Sequence, residues 1–185
     1  MKYFEKIGGE RLYLSPVNPE DKEIYTKWMN DKSVAENIGN HFKMIGLPIE
    51  EKWIEYASKE YNFAIVLRQN NELIGNVSIA DINHINQTAT LGIFIGEKEN
   101  RNKGYGKESI KLILEYAFNT LNLKNIMLSV YSFNKNAIRT YENIGFKRIG
   151  SRRKAIYRDG KYYDNIYMDI LKEEYESVKD YIFIN

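Results

Sequence analysis

The chain has 185 residues, 43% apolar and 28% charged, with a net charge of +2, so it fits one soluble domain and excludes nucleic acid or an anionic membrane as the main partner. It has no cysteine, which removes disulfides, a thiol nucleophile and thiolate metal sites. The two histidines, His41 and His84, are too few and too separated for a histidine-rich cluster, and no metal is expected. Met1 to Arg11 lacks the apolar core of a signal peptide, and no apolar run approaches the ~20 residues that span a bilayer. The expectation is a cytoplasmic protein, in which the glycosylation sequons at Asn76 and Asn86 are accidental.

Arg11 to Ser15 alternates and predicts a first strand ending at Pro16. Pro19, Glu20 and Asp21 open a helix that continues through Ile24, Tyr25, Trp28 and Met29. Asp31 to Leu47 is irregular, and Pro48 begins a second helix carrying Trp53, Ile54 and Ala57. Phe63 to Leu67 and Leu73 to Ile82 predict two strands joined at Asn70-Asn71-Glu72, and Asp81 to Gln87 turns into a central strand from about Thr88 to Ile95. A helix runs from Lys107, a strand from Ile126 to Val130, and another strand from Phe146 to Arg153. Arg158-Asp159-Gly160-Lys161 has the favoured Asp-Gly hairpin pair, Tyr163 to Leu171 alternates as a last strand, and Glu173 to Asn185 is an amphipathic tail. No repeat or linker interrupts residues 1–185, so a single domain of α/β class is expected.

The centre of this order is Leu91 to Gly106. An apolar run through Phe94, Ile95 and Gly96 is followed by the polar loop Arg101-Asn102-Lys103-Gly104-Tyr105-Gly106 and then by an amphipathic helix. Free N–H groups and the positive dipole end of that helix suit a phosphate, and glycines let it approach the backbone. The loop is not a Rossmann fingerprint, because Ser109 stands where a third Gly or Ala belongs and the next strand carries no acid for a ribose. It is not a P-loop either, since Gly-Lys-Ser/Thr after a four-residue gap is absent.

One helix and one strand later comes Asn134-Lys135-Asn136-Ala137-Ile138-Arg139-Thr140-Tyr141-Glu142-Asn143-Ile144-Gly145-Phe146. The loop resembles the Arg/Gln-x-x-Gly-x-Gly/Ala pyrophosphate loop of the GNAT acetyltransferases, and this second segment is similar to their Asn-x-x-Ala-x-x-x-Tyr-x-x-x-Gly-Phe motif at every position. The resemblance covers nearly the whole chain. It implies the GNAT fold, a mixed central sheet flanked by helices, with acetyl-CoA as cosubstrate.

By that resemblance, Arg101, Asn102, Lys103, Gly104, Tyr105 and Gly106 surround the pyrophosphate. Phe94, Ile95 and Gly96 offer backbone groups to the pantetheine arm and the thioester where the central strand splays from its neighbour. Tyr141 matches the tyrosine that protonates the departing thiolate, and Asn134 matches an asparagine that bonds the pantetheine or caps the following helix. A general base is harder to name: Glu97 lies just past the central strand and is the candidate, with water as the other route.

The outer segments, including Trp28 with Asn30-Asp31 and the closing Arg158 to Asp164, look most like the branch of ribosomal-protein-alanine and spermidine N-acetyltransferases. Glu23, Asp31, Glu36, Glu50 and Glu51 attract a polycation on one reading and are solvated helix faces on another. The expected activity is acetyl transfer to a primary amine: a protein N-terminus, a polyamine or another small amine. The alternatives are a non-catalytic acyl-CoA-binding module and a structural protein using the fold alone. The acceptor site is expected to be built from the irregular segments Asp31 to Leu47 and Arg153 to Asp164. A homodimer through the last strands or the tail is implied by analogy alone.

Overall fold

The computed structural model describes residues 2–182, with side chains described through residue 179. Its strands are β1 (Ile7–Gly8), β2 (Leu12–Pro16), β3 (Asn62–Leu67), β4 (Leu73–Asn83), β5 (Thr88–Ile95), β6 (Asn125–Tyr131), β7 (Lys147–Arg158) and β8 (Lys161–Leu171). The helices are α1 (Lys22–Asn30), α2 (Lys32–Ala35), α3 (Leu47–Ala57), α4 (Tyr105–Glu115), α5 (Lys135–Ile144) and α6 (Lys172–Ile182). The strands form an eight-stranded mixed sheet in the order β1-β2-β3-β4-β5-β6-β8-β7. The chain divides into two compact units, one from the N-terminus to Ala80 together with Gly92–Tyr116, the other Asp81–Leu91 together with the chain from Ala117 onward.

In the first unit, β2 pairs antiparallel with β1 and β3, and β3 with β4. The run Phe63–Leu67 is buried throughout, as a strand covered on both faces must be. A turn of 3-10 helix at Pro19–Asp21 leads into α1, with Asn18 accepting from the Glu20 N–H at its start. Helix α1 packs on α3 through Tyr25, Trp28, Ile54 and Ala57. Glycine is dictated at two places here. A Cβ on Gly75 would lie 2.2 Å from the Phe94 carbonyl oxygen, and one on Gly96 would lie 2.0 Å from Cε2 of Trp28.

In the second unit, β5 and β6 pair in parallel over Thr88–Thr90 and Asn125–Met127, although β6 runs on to Tyr131. Strand β6 pairs antiparallel with β8, and β8 with β7. Asn134 caps α5 by accepting from the Ala137 N–H at 3.1 Å, and Gly145 ends it at φ 113°, a value that favours glycine. The core gathers Phe118, Ile126, Leu128, Ile138, Ile144, Met168, Ile170 and Tyr175.

One expectation needs correction. Arg153 to Asp164 is not irregular: it is the tip of the β7–β8 hairpin, closed by Asp159 and Gly160 at positive φ, as the Asp-Gly pair requires. A bulge between Arg152 and Ile156, with Lys154 at φ 49° and its N–H held by the Asp164 carboxylate, interrupts the register there. The amphipathic tail is helical as α6, with residues 183–185 outside the described part. Asp31 to Leu47 holds only the short helix α2.

Candidate active site

The loop after β5 is built as an anion cradle within the first unit. Asn102 and Gly104 both take left-handed backbone conformations, φ 58° and 82°, and turn the chain sharply into α4. The first internal bond of that turn is the Glu108 N–H to the Gly104 carbonyl. The N–H groups of Tyr105, Gly106 and Lys107 therefore point out of the helix with no partner among the described residues. A Cβ on Gly106 would meet only Ile95 Cγ1, at 4.0 Å, so the protein's own packing does not demand glycine there. The backbone there is open to close approach from outside. These residues fit the pyrophosphate of an acyl-CoA.

Arg11 braces the loop from β2's edge, a role the sequence reading missed. Its guanidinium donates to the Lys103 carbonyl at 2.8 Å and to Glu108 at 2.8 Å, and it lies 5.0 Å from the centre of the Tyr105 ring. Its own N–H also donates to Glu108 at 2.9 Å. Nothing local in the sequence signals this, because the partners lie more than 90 positions away.

Arg101 does something more specific than add charge. Its guanidinium donates to the carbonyls of Ile95 at 3.1 Å, of Gly96, and of Ser33 at 3.4 Å, tying the loop to the end of β5. Gly96 is correspondingly committed: its N–H donates to the Ile74 carbonyl at 2.9 Å and its oxygen accepts from Arg101. The expectation that Gly96 offers backbone groups to the cofactor meets an N–H and an oxygen that are both already engaged, and the missing side chain makes room for the Trp28 indole. Phe94 stands edge-on to Trp28 and Tyr25, with ring centres 5.9 and 6.3 Å apart. Asn102 and Lys103 are exposed at the loop's tip.

Glu97 receives the Lys27 ammonium at 2.6 Å and the Trp28 indole N–H at 3.0 Å. Those two donors hold its carboxyl below the usual carboxylate range, which weakens it as a base. Glu50 is the opposite case. It lies on α3, 4% exposed, and burial pushes its carboxyl up to about 7. Of the five acids read as polycation attractors, Glu36 is also buried, facing Lys32, while Asp31 caps α2 and Glu51 pairs with Lys22. The solvated-face reading therefore fails for Glu50 and Glu36. The signal was present: Glu50, Ile54 and Ala57 share one helical stripe at i, i+4 and i+7.

In the second unit, Tyr141 sits on the buried face of α5 at 9% exposure, its ring 5.9 Å from Phe146. Burial pushes its hydroxyl up to about 12. That hydroxyl has no hydrogen-bond partner among the described residues. Asn134 spends its side-chain oxygen on the helix cap, so the capping role is the one the geometry displays.

Among the described residues, no three or more His, Cys, Asp or Glu side chains gather into a metal site, and no helix is long and apolar enough to cross a membrane. Comparison with known proteins gives the family. A family model described as an acetyltransferase (GNAT) domain matches residues 11–147. A probable N-acetyltransferase of Bacillus subtilis, YjcK, is 34% identical over 183 residues, covering 92% of this chain and 99% of that protein. The spermidine N(1)-acetyltransferase of Escherichia coli K12 is 32% identical over 168 residues, covering 91% and 90%. The crystal structure of the Vibrio cholerae spermidine N-acetyltransferase in complex with CoA and spermine superposes with a TM-score of 0.81 at 26% identity, covering 91% of this chain and 99% of that one. With that family model matching residues 11–147 and relatives matching along nearly their full length, the chain belongs to the GNAT family of N-acetyltransferases.

Proposed function

We propose that residues 1–185 act as a single domain that transfers the acetyl group of acetyl-CoA directly to a primary amine, a small amine or a protein N-terminus, in the cytoplasm. The observation that carries the reading is the head of α4, where three outward N–H groups and an open glycine await an anion. Spermidine is the first acceptor to test, because two of the relatives are named for it.

Acetyl-CoA supplies an activated thioester; the chain supplies position and proton transfer. The loop fixes the pyrophosphate, braced by Arg11 and anchored to β5 by Arg101. The neutral amine attacks the thioester carbonyl, the C–N bond forms, and the C–S bond breaks. The amine proton leaves through ordered water, since Glu97 is already engaged by two donors. By the family motif, Tyr141 donates to the departing sulfur. A hydroxyl near 12 is a weaker acid than a free thiol near 8.5, so complete transfer to a free thiolate is uphill by roughly 5 kcal/mol. Tyr141 therefore acts by a hydrogen bond that tightens as charge develops on sulfur, the proton moving with C–S cleavage.

The test is thiol release from acetyl-CoA across polyamines, N-terminal Ala and Ser peptides, amino sugars and aminoglycosides. Tyr141→Phe is expected to lower kcat on the order of 10²-fold with the KM for acetyl-CoA little changed. An undiminished rate removes Tyr141 from the acid role. Acetyl-CoA binding without release from any amine favours the non-catalytic binding module.

A further inference from the structure

The net charge of +2 is the balance of unequal regions. From Lys147 to Lys161, through β7 and the turn that follows it, the chain carries seven Lys or Arg and a single acid, Asp159. The side chains from Lys147 to Lys154 are all exposed. Lys147 and Arg148 are paired with Glu174 and Glu142, and Arg158 with Asp159 at 3.4 Å. The side chains of Arg152, Arg153, Lys154 and Lys161 have no ion pair among the described residues.

The backbone gathers three of these free cations. In a regular strand, Arg152, Arg153 and Lys154 would alternate between the two faces. Here the steps from Arg152 to Ile156 answer only those from Asn165 to Tyr163 on β8, so the surplus residues bulge from the sheet. Lys154 holds φ 49°, a left-handed conformation unfavourable to a residue with a Cβ, and the Asp164 carboxylate accepts from its N–H at 2.8 Å. Glycine or asparagine would meet that backbone with less strain, so the turn itself does not ask for lysine. Beyond the bulge, Tyr157 and Tyr162 face each other across the hairpin with ring centres 5.1 Å apart, 57% and 63% exposed. The Arg158 guanidinium lies 4.5 Å from the centre of the Phe133 ring, which stands edge-on to Tyr163 and stiffens the base of the tip.

Sheet edges are commonly guarded by Lys and by bulges. Guarding accounts for charge, but not for two tyrosines left in water beside it. The bulges also choose between partners. An acidic peptide or a second copy that adds as a further strand needs an unbroken edge, and β7 shifts register twice, after Arg148 and after Arg152. A second copy would also set these cations against their own kind. A partner with its charge on a flexible backbone and flat rings to stack needs no such edge.

We infer that the bulged hairpin from Arg152 to Tyr162 is an accessory surface that binds single-stranded RNA. Arg152, Arg153, Lys154 and Lys161 lie against phosphates, and Tyr157 and Tyr162 stack on bases. RNA is the single strand that a cytoplasmic protein meets. The surface lies wholly within the second unit and does not depend on acetyl transfer.

The test titrates the full chain against a fluorescein-labelled, unstructured RNA of about 20 nucleotides, with anisotropy as the readout, at about 50 and about 200 mM salt. Four phosphate contacts are expected to weaken binding about 50-fold across that range. Arg152→Ser, Arg153→Ser and Lys154→Asn together are expected to weaken it at least about tenfold at the lower salt and to cut the salt dependence to about threefold. Tyr157→Ala with Tyr162→Ala is expected to weaken it about tenfold while leaving the salt dependence as it is. An unchanged urea midpoint shows that each combined variant keeps its fold. Should one unfold, Arg153→Gln alone, with a loss of about threefold, carries the test. No anisotropy change up to about 100 μM protein, or binding that none of these substitutions weakens, overturns the assignment. So does binding of poly-glutamate or of phosphatidylserine vesicles in place of RNA, which makes the partner an acidic protein or a membrane.

Discussion

The head of α4 and the buried face of α3 both leave polar groups without partners, yet they differ in sign and in cost. At α4 the free groups are backbone N–H donors at a helix end, partly open to water, which every helix has and water can satisfy. At α3 the group is the Glu50 carboxyl, largely hidden from water, which no helix requires and which penalises folding when ionised. A site for an anion can therefore be a by-product of helix geometry. A buried carboxyl has to be maintained against stability, which makes Glu50 the more informative of the two. Between these regions stands the Gly96–Trp28 contact, where β5 meets α1.

Breaking that contact carries the largest expected effect. Gly96→Ala places a methyl within 2.4 Å of three indole atoms of Trp28, which is itself 1% exposed and packed by Tyr25 and Phe94. The ring has no room to withdraw. Urea unfolding is expected to show a loss of about 3 kcal/mol or more. A loss below about 0.5 kcal/mol would mean that α1 shifts freely against β5, and that the aromatic wall is not the rigid link described.

The Glu50 carboxyl gives the next largest effect, and its sign is opposite to that of an ion-paired acid. Burial raises it from the usual 4.5 to about 7, so between those values the folded chain holds more protons than the unfolded one. Stability falls as pH rises through this window, by up to about 3 kcal/mol, and the contribution is constant above it. Of the groups facing it, the Tyr25 hydroxyl is pushed well above its ordinary range, and Glu51 turns outward to Lys22. Asp21 is bonded to Lys2 and Tyr3. Wild type and Glu50→Gln are expected to have equal stability near pH 4.5, with the variant ahead by pH 7.5 in urea titrations. Parallel curves would show that the carboxyl is solvated after all.

How much of this was legible in the sequence follows from how local each signal is. The glycine loop's turn into a helix, the Asn134 cap and the Asp159-Gly160 turn depend on residues within a few positions of one another, and the structure shows all three as local geometry. The strand boundaries followed from alternation and apolar runs, missing only the two-residue β1 and the bulged extension of β7. The commitments of side chains were not legible. Arg101 was read as charge for a phosphate, and its bonds to three carbonyls, two of them on or beside β5, come from tertiary placement. Arg11 has its partners more than 90 residues away. Glu50 was visible as a misfit on an apolar stripe, but its lack of a partner depends on what α1 brings to it.

The smallest effect is expected at Glu97, and it sharpens the contrast between the two carboxylates most directly. Glu97 was the candidate base because of its place just past β5. In the structure it accepts from Lys27 and from the Trp28 indole, so its proton affinity is lowered and its oxygen is already in use. The ion pair is at the surface, with the Lys27 side chain 64% exposed, so its loss is worth less than about 1 kcal/mol. Glu97→Gln preserves an oxygen for the indole N–H and removes only the charge. The rate at saturating substrates is expected to stay within about twofold of wild type, with the acidic limb of the pH–rate profile unmoved. A fall on the order of 10²-fold, with that limb lost, would restore Glu97 as the base despite its two donors. It would also mean that Lys27 and Trp28 orient the carboxylate toward the amine rather than occupy it.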